Sequence, residues 1–486
     1  MESEDNKMTV DKTELERILT LQRKAFLREG EVTAAVRRAR VSRMAVALLE
    51  NFDAIAEALS KDYGNRPPAL TKAFEALSWV DDIEKTLASL EDWMAPTEIE
   101  GGFIQQKPRG VVGILGAWNF PITLTFEPAM EALAAGNRVM LNFSEFHPKT
   151  GKILAGIISE RFPEDEVAFI HGDIDTARAF SELRFDHLFF TGSPKVGSLV
   201  AQAAAKNLVP VTLELGGKNP VVVARDADLD LASLRIASTR VLNGGQICLC
   251  PDYVFVPRES LDTFVGKVEK QFASFFPEYL NNPGVVSIVN ERNYDRVTGL
   301  IDDAVSKGAR KISVAPEGEA RLLPDRQSRR IAPTILLDVP ESAHISSDEI
   351  FGPVLVVHVY DDIEEVIAYV HDRPSPLAAY WYGEDGDEFK RFLNSTTSGG
   401  VTRNDGLVHA VLAGAPFGGT GQSGQGAYHG KSGFDTFTHR RAVANVTQPK
   451  GIAEDLVSKV SQGDAFKSAI DGAISKSIEG FRKYAV

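Results

Sequence analysis

Only two cysteines occur in the 486 residues of this chain. A disulfide framework is therefore excluded. They are Cys248 and Cys250, two apart in NGGQICLC, residues 243–250. A bond between i and i+2 would close a strained ring. Two thiols without further ligands do not make a zinc site. Histidines are few and show no metal-ligand spacing, so no metal is expected. Long apolar runs are also missing: nothing approaches the roughly 18–20 residues of a membrane span. Positive charge is in deficit, with a net charge of −14. That sign argues against nucleic acid or an anionic membrane as the main partner. Two arginine runs, Arg37 to Arg43 and Arg326 to Arg330, read as solvated faces or loops. The opening MESEDNKMTV is acidic and lacks the apolar segment of a secretory leader. The expected location is the cytoplasm.

What is present is a long alternation of strands and helices. The first 95 or so residues are helical by their i, i+3, i+4 apolar spacing. PTEIEGGFIQQKPRG reads as a strand pair or a linker. From residue 111 the texture changes. VVGIL, RVMLNF, VAFI, DHLFF and VPVTLEL are apolar strand runs, each separated from the next by a helical stretch. Such spacing predicts βαβ units and a parallel sheet. A second alternation, from PVVVA to PVLVVHVY and beyond, predicts a second parallel sheet. The fold class expected is α/β, with two Rossmann-like domains and a small β bridging element. The predicted division places 1–95, 112–216 and 415–436 in a dinucleotide-binding domain and 217–414 in a catalytic domain. Segments 96–111 and 437–448 are bridging strands, and 449–486 is a polar tail.

Four short stretches carry chemistry. In FFTGSPKVG a strand meets a Gly-Ser turn and then a helix, whose free N–H groups suit a phosphate. A tight turn with a serine cap explains the same residues, and G-x-G-x-x-G is absent. In LELGGKNP, Glu214 ends a very apolar strand. Such a carboxyl has a raised pKa and suits general-base work. In NGGQIC, glycines precede a thiol and bring backbone N–H groups close to it. In GAWNFP, Asn119 offers an amide donor from a loop. Each has a bland alternative: an exposed strand-end carboxylate, an inert buried cysteine, a turn asparagine.

Taken in order, these stretches resemble the aldehyde dehydrogenase superfamily from about residue 15 to 448, together with DEIFGPVL and PFGGTGQSGQGAYHGKSGFDTFTHRR. The latter, with Tyr428 and His429, resembles the class 3 branch. LQRKAF and DYGNR resemble its coniferyl-aldehyde-dehydrogenase-like group. The resemblance implies NAD(P)-dependent oxidation of an aldehyde, aromatic or medium- to long-chain, through a cysteine thiohemiacetal and thioester. It implies Cys248 as nucleophile, Glu214 as general base and Asn119 with the Cys248 N–H as oxyanion hole. Cofactor contacts fall to Thr191, Gly192, Ser193, Gly197, Leu215, Asn142, Glu145, Glu349 and Phe351. Asn404 stands behind the reacting groups. Cys250 becomes a neighbour placed to capture an oxidised Cys248. A homodimer is implied, with FIQQKPRG and RRAVANVTQ as pairing segments and the tail over a substrate entrance. Ester hydrolysis on the same residues, and a binding subunit that has lost cofactor use, are the rival readings.

One departure from the family pattern decides the cofactor expected. The usual lysine and proline before Ser-Glu are replaced in LNFSE by Asn142 and Phe143. An amide can bond a ribose hydroxyl but has no charge for a 2′-phosphate. NAD is therefore expected over NADP. Steady-state kinetics should give the higher kcat/KM with NAD; a clear advantage for NADP overturns this reading.

Overall fold

The computed structural model describes residues 9–485. The first eight residues of the acidic opening, and Val486 at the end of the tail, lie outside the described residues. Among the described residues there are two compact units: one takes in the chain up to 93 together with 107–439, the other 94–106 together with the chain from 440 on.

The larger unit holds two sheets. The first has six strands, in the order Gly424–Gln425, Val211–Leu215, His187–Gly192, Val111–Leu115, Arg138–Phe143, Val167–His171. Its five longer strands are parallel. Val111–Leu115 is buried at every position, as a strand covered on both faces must be. The chain runs outward from this strand in one direction and then returns to its other side. The strand order thus reverses between Val111–Leu115 and His187–Gly192. A crevice opens at the carboxyl ends of strands where such a reversal occurs.

The second sheet has seven strands, in the order Arg310–Ser313, Thr334–Leu337, Val354–Tyr360, Tyr253–Pro257, Pro220–Val223, Ala378–Tyr382, Gly400–Arg403. Neither sheet is wholly parallel. Gly424–Gln425 and Arg310–Ser313 are antiparallel edge strands. An edge strand can join by a return loop rather than a crossover helix, so apolar alternation does not reveal its direction. A core packs the second sheet against helices, including Val297, Leu300, Val366 and Phe392. Another packs Leu15, Leu19, Phe180 and Val200 on the first.

Local sequence explains the elements that reach the crevice. Thr123–Ala134 is buried almost all round, Glu127 and Glu131 included. It stops where Gly136 takes φ +91°. Pro194–Ala205 starts with Ser193 as its cap, accepting from the Val196 N–H at 3.4 Å, with Pro194 at the first turn. In the smaller unit, Thr97–Ile99 and Gly102–Pro108 form an antiparallel pair and Thr438–Ala444 completes a three-stranded sheet. Two helices, Ile452–Val460 and Asp464–Arg482, end the chain. No helix among the described residues is long and apolar enough to cross a membrane.

One buried ion pair ties several loops of the larger unit together. Arg240 and Asp252 are 0% and 2% exposed at the side chain and 3.2 Å apart. Arg240 also donates to the carbonyls of Pro251 at 2.7 Å, Gly245 at 2.8 Å and Gly352. The second oxygen of Asp252 accepts from Ile350 N–H at 3.2 Å and faces Lys218 Nζ at 3.3 Å. Removing one partner of such a pair leaves the other charge uncompensated. Arg240→Met should cost about 3–5 kcal/mol of stability, read as a lower urea midpoint. An unchanged midpoint would show that the clamp is dispensable.

Candidate active site

A cavity of about 540 Å³ lies at the reversal point of the first sheet. Strand ends of the first sheet supply one wall: Asn119 follows Leu115, Thr191 to Ser193 end the next strand, and Glu214 and Leu215 end the one after. Cys248, Glu349 and Phe351 come from loops of the second sheet.

The thiol sits on a turn that few sequences can make. Asn243, Gly244 and Gly245 take φ of +50°, +66° and +75° in succession. Glycine enters this region without steric cost and asparagine tolerates it. A side chain at Gly245 would strike the Gly352 backbone. Gln246 locks the turn, donating to the carbonyls of Asn243 at 2.9 Å and Ser287 at 3.1 Å and accepting from Val289 N–H at 2.9 Å. After the turn, Asn219 donates to the carbonyls of Cys248 at 2.7 Å and Cys250 at 3.0 Å. Tyr380 OH donates to Leu249 O at 2.6 Å. The backbone on both sides of Cys248 is therefore pinned, while its side chain is half-buried and faces the cavity. Cys250 is fully buried, does not line the cavity, and donates its thiol to Thr239 O at 3.3 Å.

The cavity is lined by three carboxyl groups, Glu214, Asp348 and Glu349, and by Lys195, Lys218 and Arg296. Glu214 is buried and neither of its oxygens has a hydrogen-bond partner among the described residues. Burial pushes its carboxyl well above the ordinary range. Glu349 accepts from Gly217 N–H at 3.2 Å. Burial, and then the neighbouring Asp252, push it up to about 8. Burial also raises the Cys248 thiol, and Glu349 and Glu214 add to the effect. A thiol, a carboxyl raised by burial and an amide donor thus share one cavity. This set can add a nucleophile to a carbonyl, stabilise the oxyanion and then activate water.

Asn119 reaches toward the thiol loop, its Nδ2 3.3 Å from Gln246 O. Phe351, at φ +48°, sets its ring edge-on to Trp118 at 5.2 Å. Arg296 holds that loop by donating to Glu349 O at 3.0 Å and Ile350 O at 2.7 Å. Gly216 leaves room for Glu349, because a Cβ there would overlap its carboxylate.

Not every expected residue meets the cavity. Gly197 does not line it: a Cβ there would collide with Leu215, so its absence serves helix–strand packing. Asn142, next to last in the strand Arg138–Phe143 and opposite Leu115, is buried, and its Oδ1 has no partner among the described residues. Glu145 lies three residues on and is exposed. Asn404 bonds both the N–H and the carbonyl of Gly383, at 2.8 and 3.0 Å, and stays outside the cavity. Conversely, Trp118, Lys218, Arg296 and Phe417 line it without having been singled out. Lys218 and Asp252 lie inside recognisable motifs, LELGGKNP and CPDY. Arg240 sits in an unremarked helix, and no sequence signal marks it.

The residues present fit a dinucleotide. Thr191 Oγ1 and Asn142 Oδ1 are buried polar atoms without partners among the described residues, near the carboxyl ends of their strands, and the Gly192–Ser193 turn opens the helix Pro194–Ala205.

Comparison with known proteins agrees with this geometry. The model of the aldehyde dehydrogenase family matches residues 6–443. The coniferyl aldehyde dehydrogenase of a Pseudomonas species is 41% identical over 463 residues, 94% of this chain and 95% of that protein. The rat dimeric NADP-preferring aldehyde dehydrogenase is 38% identical over 403 residues, 81% of this chain and 86% of that protein. The substrate-bound structure of Staphylococcus aureus AldH superposes with a TM-score of 0.84 at 32% identity, over 90% of this chain and 95% of that one. The chain belongs to the aldehyde dehydrogenase family and is an NAD(P)-dependent oxidoreductase.

Proposed function

We propose that this enzyme oxidises an aromatic or medium- to long-chain aldehyde, of the coniferyl aldehyde kind, to its carboxylic acid with NAD. The observation that carries the reading is the meeting of Cys248, Asn119 and Glu214 in one cavity. Its apolar lining, Trp118, Leu124, Leu377 and Phe417, suits such a substrate. The 41% identical Pseudomonas relative acts on coniferyl aldehyde by its name. The uncharged Asn142 favours NAD, although the rat relative is named NADP-preferring. Thr191, Gly192, Ser193, Leu215, Asn142, Glu145, Glu349 and Phe351 would hold the cofactor.

The Cys248 thiol passes its proton to solvent water, and the thiolate sulfur attacks the carbonyl carbon. The oxygen becomes an anion between Asn119 Nδ2 and the Cys248 N–H. When bound, the nicotinamide supplies a hydride acceptor, and a thioester on Cys248 remains. Glu214 then takes a proton from water. The hydroxide adds to the thioester carbon, the sulfur leaves, and the acid is released. The first sheet with its strand ends forms the cofactor half and residues 217–414 the catalytic half. The rat relative is named dimeric, and a homodimer is proposed here, paired through the three-stranded sheet. A cytoplasmic location belongs to the same reading.

Glu214→Gln should release one NADH per active site in a burst. Steady turnover should then fall by about 10²- to 10⁴-fold. Full steady turnover would remove Glu214 from the mechanism. Because burial raises the Glu214 carboxyl, its basic form gains as pH rises. Under deacylation-limited conditions kcat should therefore climb as pH rises above the ordinary carboxylate range. A profile without this climb would count against the assignment.

A further inference from the structure

Behind the Asn119 loop lies a second buried ion pair, Arg66 with Glu75, remote from the cavity lining. Both side chains are 0% exposed, and Arg66 Nη1 is 2.5 Å from Glu75 Oε1. Arg66 lies over the rings of Tyr63 and Phe120, 5.1 Å from each centroid. Two buried charges rarely stabilise a fold more than apolar residues of the same size would. Their value lies in what they hold.

Glu75 uses its other oxygen on the segment after Asn119. Its Oε2 accepts from Ile122 N–H at 2.7 Å and, more weakly, from Thr123 N–H at 3.4 Å. Thr123 Oγ1 donates to Phe74 O at 3.2 Å. Tyr63 OH lies 3.1 Å from both the Trp118 and Asn119 carbonyls and donates between them. His147 stacks on Tyr63 at 5.2 Å and places its Nε2 2.7 Å from Trp118 O. The turn from Trp118 to Thr123 is thus held from behind by the helices Phe52–Tyr63 and Pro68–Glu75. On the cavity side, the Asn119 amide makes only one long bond, 3.3 Å to Gln246 O. The donor is fixed through its backbone and left free at its amide. A preorganised oxyanion donor needs that arrangement.

We propose that Arg66 and Glu75 are positioning residues for the Asn119 amide. The pair sets the turn, and the turn aims the amide at the substrate oxygen. This rests on Asn119 being the oxyanion donor. Neither residue touches substrate.

A double-mutant cycle tests it in the full-length enzyme, with NAD and an aromatic aldehyde and with kcat counted per alkylatable Cys248. Asn119→Ala should lower kcat by about 10²-fold. Glu75→Gln, which keeps the shape and loses the charge, should lower kcat about tenfold with KM for aldehyde and NAD within about twofold. The double variant should be no slower than Asn119→Ala alone, because Glu75 acts only through that amide. A multiplicative double variant, or a Glu75→Gln loss that appears in KM or in the fraction of alkylatable thiol, overturns the proposal. Unchanged kcat in Asn119→Ala overturns the oxyanion assignment and the proposal with it. If Glu75→Gln does not fold, Arg66→Lys enters the same cycle. It keeps the charge but not the planar face between the two rings, and the same outcomes decide.

Discussion

The guanidinium of Arg240 is the point on which the active cavity depends. One side chain holds Gly245 before the thiol, Pro251 after it, and Gly352 in the loop that carries Glu349 and Phe351. Asp252 neutralises it and passes the connection on to Ile350 and Lys218. Segments distant in sequence are thereby fixed relative to one another around a single buried charge pair. Water cannot replace these contacts, because both side chains are sealed from solvent. The cost of leaving either charge alone makes the arrangement all-or-none.

Electrostatics then shape the chemistry. The cavity keeps carboxyl groups short of partners, and burial favours their neutral forms. By favouring the neutral form, burial of Glu214 lessens its repulsion of a thiolate forming on Cys248. A base with a raised pKa is also stronger once it loses its proton. The same burial that makes Glu214 costly to fold makes it useful. Two ion pairs, Arg240–Asp252 and Arg66–Glu75, stand behind the reacting groups rather than among them. Both pairs support loops rather than the reacting atoms.

Much of the fold was legible because its signals are local. RVMLNF became the strand Arg138–Phe143, residue for residue, since a run of apolar residues between turns has few other uses in a doubly covered sheet. The antiparallel edge strands were not legible. Gly424–Gln425 is two residues long and takes its direction from its neighbour. At the site, Cys248, Glu214, Asn119 and Glu349 stood out as chemical groups beside glycine-rich turns, and all four meet in the cavity. Gly197 stood out for the same reason yet serves packing against Leu215. A glycine in a motif signals close approach, but not what approaches.

By itself, the sequence determined the alternation of strands and helices, the family, and the groups able to act as nucleophile, base and donor. These follow from residue type and short-range spacing. Only the tertiary structure decided that Cys250 turns to Thr239 while Cys248 faces the cavity. It alone showed that Arg240 clamps three carbonyls in two loops and that Glu75 braces the turn after Asn119. The reason is physical: a charge's role is set by its depth and its partners, and both come from residues far away along the chain.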